Sequence, residues 1–89
     1  MRVISRKALR SFARFHAAAA APLDVWYSTA KAADWRNLTE VQQTYNSADA
    51  VGRYTVFNIK GNSYRLVVRI NYKYSVIYIH WIGTHAEIR

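Results

Sequence analysis

Eighty-nine residues, 52% of them hydrophobic with only three glycines and one proline, suffice for one small core and are too apolar for a disordered chain. The absence of cysteine excludes a disulfide framework and a thiolate zinc site, and no run of about 18 apolar residues is available to cross a bilayer as a helix. The net charge of +8 points to an anionic partner: nucleic acid, an acidic membrane surface or an acidic protein.

That charge is unevenly spread. Residues 1–23 hold five bases and no acid, residues 24–49 two bases and four acids, and residues 50–89 six bases and one acid. Arg2-Val-Ile-Ser5 predicts a short strand. Ser5 then suits the N-cap of a first helix, with Leu9, Phe12, Ala13 and His16 recurring on one side and Arg6, Arg10 and Arg14 every four residues on the other. Met1–Pro22 is Arg-rich, acid-free and ends in the alanines 17–21, a superficial match to a cleavable targeting peptide. Alanine is a weak apolar core for such a segment, and its removal would leave a short remnant, so retention is expected.

The alanine run is either the end of helix one or a link into helix two. Pro22 fits the first turn of a second helix whose Leu23, Trp26, Tyr27 and Ala30 share a face. Asn37 or Thr39 can cap a third, short helix through Val41 and Tyr45. From Tyr54 the period changes to two: Thr55, Phe57 and Ile59 alternate with Val56, Asn58 and Lys60, and Gly61-Asn62 signals a turn. The next strand sets Tyr64, Leu66, Val68, Ile70 and Tyr72 on one face and Arg65, Val67, Arg69 and Asn71 on the other. Residues 74–82 are apolar on both faces, as in an interior strand. The pattern predicts one α+β domain over residues 1–89, with helices preceding an antiparallel sheet that has a basic face.

In order along the chain stand Arg2-Val-Ile-Ser-Arg-Lys7 with Leu9-Arg10, Pro22-Leu23 before Trp26-Tyr27, Ala33-Asp34-Trp35, and Val51-Gly52. Val56-Phe-Asn-Ile-Lys-Gly-Asn62, Tyr64-Arg-Leu-Val-Val68, Ile70-Asn-Tyr72 and Ile82-Gly-Thr-His-Ala-Glu87 follow. Together these pieces resemble the HigB toxins of bacterial toxin-antitoxin systems, within the RelE-like mRNA interferases. The resemblance implies a compact RelE-like α+β fold, with two to three N-terminal helices packed on a curved antiparallel sheet of three to four strands. It further implies a ribosome-dependent endonuclease that cuts mRNA in the ribosomal A site, touches 16S rRNA, inhibits translation and needs no cofactor. A helix-turn-helix antitoxin, HigA, would neutralise it, and operator DNA would be reached only through the antitoxin complex. A bacterial cytoplasmic location and no membrane partner go with that reading.

RNA can be cut without metal when its 2′-hydroxyl attacks the adjacent phosphorus. The protein must then stabilise charge on phosphate and move two protons, which Arg, Lys and His can do without carboxylates. Arg65, mid-strand in Tyr-Arg-Leu-Val, is the first choice for the phosphate, against the plain alternative of a surface arginine. His85, after Gly83-Thr84, is the candidate acid or base, and Lys60 beside the Gly61-Asn62 turn either reaches a phosphate or is merely solvated. Arg69, Asn71, Asn58, Tyr72 and Arg89 are candidate RNA contacts.

His80 reads as a packed core histidine and His16 as structural; Trp26, Tyr27, Trp35 and Trp81 read as core. With Glu87 the only acid near the histidines and no cysteine, no metal site is expected. The Arg6, Arg10, Arg14 stripe faces rRNA phosphates, acidic antitoxin residues or only solvent. A non-catalytic RNA-binding module and an antitoxin-binding domain without nuclease activity are the competing functions.

Overall fold

The computed structural model describes residues 1–84. Strand β1 (Arg2–Ile4) leads into α1 (Arg6–Phe15). A 3-10 turn at Ala17–Ala19 then runs directly into α2 (Ala20–Ala32), so the alanines link the first two helices. Helix α3 (Leu38–Thr44) and strands β2 (Asp49–Val51), β3 (Tyr54–Ile59), β4 (Tyr64–Asn71) and β5 (Val76–Thr84) complete the order. Asn37 caps α3, its side-chain oxygen accepting from the Glu40 amide at 3.0 Å. Glu40 in turn accepts from the Arg36 amide at 2.9 Å, which together with the Arg36 side chain holds its carboxyl below the usual carboxylate range. Ser5 holds the N-cap position of α1 but makes no side-chain capping bond.

The sheet is larger and less uniform than the alternation predicts: five strands in the order β1-β5-β4-β3-β2, with β1 parallel to β5 and the other neighbours antiparallel. The parallel pair exists because α1 and α2 carry the chain from β1 back across the sheet. The Met1 amino group fastens that start, donating to the carbonyls of Ala30, Lys31 and Ala33 at the end of α2. The Ala30 carbonyl also accepts from the Ala33 amide at 3.2 Å; a helix C-terminus leaves its last carbonyls short of intrahelical donors, and a cation there also suits the helix dipole. Strand β2 pairs with β3 through a two-residue connection in which Gly52 adopts φ 60°, the left-handed conformation glycine enters freely.

Helices cover one face only. Leu9 of α1, with Leu23, Trp26 and Ala30 of α2, packs with Trp35 and Val41 on Phe57, Ile59, Leu66, Val68 and Ile77 of the sheet. The Phe57 ring is the hub, meeting Trp26 edge-on at 5.4 Å, Tyr45 edge-on at 5.4 Å and Trp35 stacked at 6.1 Å. Full burial of such side chains stabilises by about 1.5 to 3 kcal/mol each, so the faces of β3 and β4 are fixed by Phe57, Leu66 and Val68. The residues between them, Asn58, Arg65 and Arg69, stand on the opposite, open face. His16 stacks on Phe12 at 4.1 Å and meets Tyr64 edge-on, the structural role its spacing predicts. Among the described residues, no helix is long and apolar enough to cross a membrane.

Candidate nucleic-acid interface

The register of the sheet arranges the open face in rows. Asn58 of β3, Arg65 of β4 and Gly83 of β5 lie side by side; Val56, Val67 and Trp81 form the next row. Tyr54 follows beside Arg69, one step beyond the Thr55–Val68 pair, and Arg69 is opposite Tyr78. Four residues of strand at about 3.3 Å each separate Arg65 from Arg69 by roughly 13 Å. The two guanidinium groups therefore serve different parts of an extended ligand.

Strand β5 departs from alternation at one point. Val67 pairs with Trp81 and Val68 with Ile79, so His80 has no partner on β4 and forms a bulge. Regular alternation from Ile77 would drive Trp81 among the helices and turn Ile82 outward. With the extra residue, Ile77, Ile79 and Ile82 all pack on the core, while His80 and Trp81 stand in succession on the open face. Bulges re-aim side chains in this way. His80 is exposed, not buried in the core as its apolar neighbours predict, and its ring stacks on that of Tyr54 at 4.4 Å between centroids and 25° between planes. Since β3 and β5 flank β4, the two rings meet above it. Trp81, also expected in the core, is half-buried beside Arg65's row, and a Cβ on Gly83 would overlap its indole ring. Glycine at 83 is what lets that indole lie on the strand.

A cavity of about 420 Å³ separates Ala8, Ser11 and Phe12 of α1 from residues 79–82 of β5, and two more flank the open face. One of about 260 Å³ is lined by Ser47, Asp49, Val51, Val56, Asn58 and Arg65. There the side-chain oxygen of Asn58 is buried and meets no hydrogen-bond donor among the described residues. The other, of about 390 Å³, is lined by Tyr54, Arg69, Asn71, Tyr78, Ile79 and His80. Lys60 is at the Arg65 end of the sheet, exposed in the β3–β4 turn with φ 53°, ahead of Gly61 at φ 63°. A left-handed lysine is strained by about 1 to 2 kcal/mol, and such strain clusters at functional sites.

Not every predicted residue joins this face. Tyr72 turns to the helix side and packs against the core; burial raises its hydroxyl above the usual 10.0, and a hydrogen bond with Thr55 acts in the opposite direction. Arg6, Arg10 and Arg14 line a separate groove of about 320 Å³ between α1 and α2, floored by Leu9 and Leu23. Arg6 is already engaged there, its guanidinium 4.6 Å from the Tyr27 ring centroid. His85 and Arg89 lie outside the described residues. Among the described residues, no three His, Asp or Glu side chains gather as metal ligands.

Sequence reasoning missed Tyr54, His80, Trp81, Gly83 and Asp49. Strand β2, which carries Asp49, was signalled only by Gly52-Arg53 ahead of the first alternating residue, a two-residue hairpin mark. The bulge left no local mark.

A mixed five-stranded sheet with helices on one face and a basic open face is consistent with a RelE-like toxin, and residues 19–88 match the family model HigB_toxin, described as the RelE-like toxic component of a toxin-antitoxin system. The chain belongs to the HigB toxin family. The matched residues take in α2, α3 and strands β2 to β5, and with them every residue of the open face named above; His85 also falls within the match, and Arg89 falls outside it. As a HigB-family toxin, the chain has an antitoxin as its partner. No curated protein matches it.

The Trp81–Gly83 contact makes the first prediction. Gly83→Ala forces the indole off the strand and should destabilise the domain by about 1 to 3 kcal/mol in denaturant unfolding, the usual cost of overpacking. Adding Trp81→Ala should relieve most of that loss. Equal losses in the presence and absence of the indole would mean that the ring is not what Gly83 accommodates.

Proposed function

We propose that this HigB-family toxin is a metal-independent endoribonuclease that cuts mRNA in the ribosomal A site, stops translation and is silenced by a helix-turn-helix antitoxin of the HigA type. The observation that carries the reading is the surrounding of Arg65: mid-strand on the open basic face, in a cavity with an Asn58 oxygen that meets no donor among the described residues, beside the indole that Gly83 admits. Cytoplasmic action on ribosomes goes with this reading.

The reaction asks for four things. The ribose 2′-oxygen forms a bond to phosphorus and loses its proton, the bond from phosphorus to the 5′-oxygen breaks, and that oxygen gains a proton. A 2′,3′-cyclic phosphate and a 5′-hydroxyl result. The planar fork of Arg65 suits two non-bridging phosphate oxygens and strengthens its hold as charge develops on them. The Asn58 oxygen is an acceptor suited to a ribose hydroxyl. Lys60 adds a positive charge at the same end of the sheet, favouring the deprotonated 2′-oxygen. His85, which follows Thr84 in the chain, exchanges a proton at one of the two reacting oxygens, since imidazole titrates near neutral pH. Arg69 and Asn71, both beyond Arg65 along β4, hold the RNA on one side of the cut, with Arg89 a further contact. The Arg6, Arg10, Arg14 stripe meets 16S rRNA phosphates or acidic antitoxin residues.

Induction of the toxin alone in bacterial cells, with mapping of RNA 5′-hydroxyl ends, tests the reading. Growth arrest with new ends inside translated codons is expected. Arg65→Ala should slow cleavage on purified ribosomes about 10²- to 10³-fold, and His85→Ala about 10²- to 10⁴-fold. Arrest without new ends, or variants that cut as fast as the parent, would refute nuclease action at this site and favour a binding module instead.

Lys60 separates stability from activity. Asparagine tolerates left-handed backbone, so Lys60→Asn should raise unfolding stability by up to about 1 kcal/mol while slowing cleavage. Faster cleavage from the stabilised variant would show that the lysine charge has no part in the reaction.

A further inference from the structure

The second cavity of the open face is not accounted for by phosphate chemistry at Arg65. Its walls are the aromatic rings of Tyr54, Tyr78 and His80, the Arg69 guanidinium, Ile79, and the amide of Asn71, whose oxygen accepts from the Tyr74 amide at 3.1 Å and whose NH2 is left to donate. A site for a bare phosphate has no use for the rings. A site for an apolar ligand has no use for Arg69. One ligand class uses all of them: a nucleotide of a single strand, whose base has a flat π-face, whose phosphate pairs with arginine and whose hydroxyls and base edge meet an amide.

We infer that the Tyr54–His80 stack, with Arg69 and Asn71, is a base-stacking subsite that holds one unpaired nucleotide of the RNA strand on the far side of the open face from Arg65. This rests on the RNA reading proposed above and adds to it the residues that grip the strand away from the cut. Three features carry it. The bulge at His80 takes the imidazole out of the ladder and exposes it on the open face. The ring is then fixed by stacking on Tyr54 at 4.4 Å, so the platform exists before a base arrives and little side-chain entropy remains to be lost on binding. The cavity beside the stack, about 390 Å³, falls within the range of small-ligand sites. Arg69, roughly 13 Å from Arg65 along β4, sets the direction of the strand: across the sheet face from the Arg65 cavity, past the indole of Trp81, to the stack. Because every base has a π-face, the subsite is tolerant of sequence. In this role His80 acts through its ring and transfers no proton.

The test is binding of a fluorescein-labelled single-stranded RNA with 2′-O-methyl riboses, which cannot be cleaved, measured by fluorescence anisotropy beside cleavage on ribosomes. His80→Ala and Tyr54→Leu should each weaken binding about 5- to 150-fold, the range for loss of one stacked base. His80→Phe should recover most of what His80→Ala loses, an outcome a proton-transfer role would not give. Arg69→Gln should flatten the slope of log affinity against log salt by about 0.7, one phosphate contact on a single strand. Thermal melting of each variant checks the fold, and Tyr54→Leu gives the same reading should His80→Ala fail to fold. Binding by the parent that His80→Ala and Tyr54→Leu leave unchanged would overturn the subsite, as would failure of the parent to bind this RNA at all. Stack-dependent binding by a parent that cuts nothing on ribosomes would instead leave the subsite standing and overturn the nuclease reading.

Discussion

Between Val68 and Val67 of β4, strand β5 supplies three residues, Ile79, His80 and Trp81, where two would keep the ladder regular. The arrangement of the open face depends on that additional residue. It allows Ile79 and Ile82, both half-buried, to pack on the helix side, each gaining part of the roughly 1.5 to 3 kcal/mol that full burial would give. The same shift delivers two rings in succession to the other side. One stacks on Tyr54 and the other lies over Gly83. Core packing thus holds the bulge in place, and the bulge shapes the cavity at Tyr54 and His80, whereas the Arg65 cavity is walled by β2, β3, β4 and Ser47 of the α3–β2 connection.

Charge follows the same division of labour. The helix side of the sheet is filled by Trp26, Phe57, Leu66, Val68 and their neighbours, so no cation can be accommodated there. Arg65 and Arg69 stand on the open face by alternation from those residues, spaced to meet successive parts of one strand and not to share a single phosphate. The arginines of α1 form a second basic surface, around a groove on the helical layer. On the proposed reading, in which the toxin engages a ribosome as well as its antitoxin, two separate cationic regions serve the two partners, since complementary charge speeds encounter and orients it.

How much of this could be read from the chain follows from what each signal encodes. The helices, the Asn37 cap, the core faces of β3 and β4, and the outward Arg65, Arg69 and Asn71 all come from periodicity and local hydrogen bonding, which sequence carries directly. Strand β2 is three exposed residues with nothing to alternate and only the Gly52-Arg53 turn to mark it, and the β1–β5 pairing joins distant parts of the chain, which no local pattern encodes. His80 and Trp81 were hidden because β5 is apolar on both faces and the bulge depends on packing against distant helices. Tyr72, a candidate RNA contact by residue type, packs on the helix side as its alternation with Leu66 and Val68 requires.

The central claim is that the open sheet face, and not the arginine groove between α1 and α2, receives RNA. Amide and side-chain chemical-shift mapping of isotope-labelled toxin during titration with uncleavable single-stranded RNA measures it most directly. The account predicts shifts concentrated on Tyr54, Asn58, Arg65, Arg69, His80 and Trp81, with α1 unmoved. Shifts centred on Arg6, Arg10 and Arg14, with the open face silent, would contradict it.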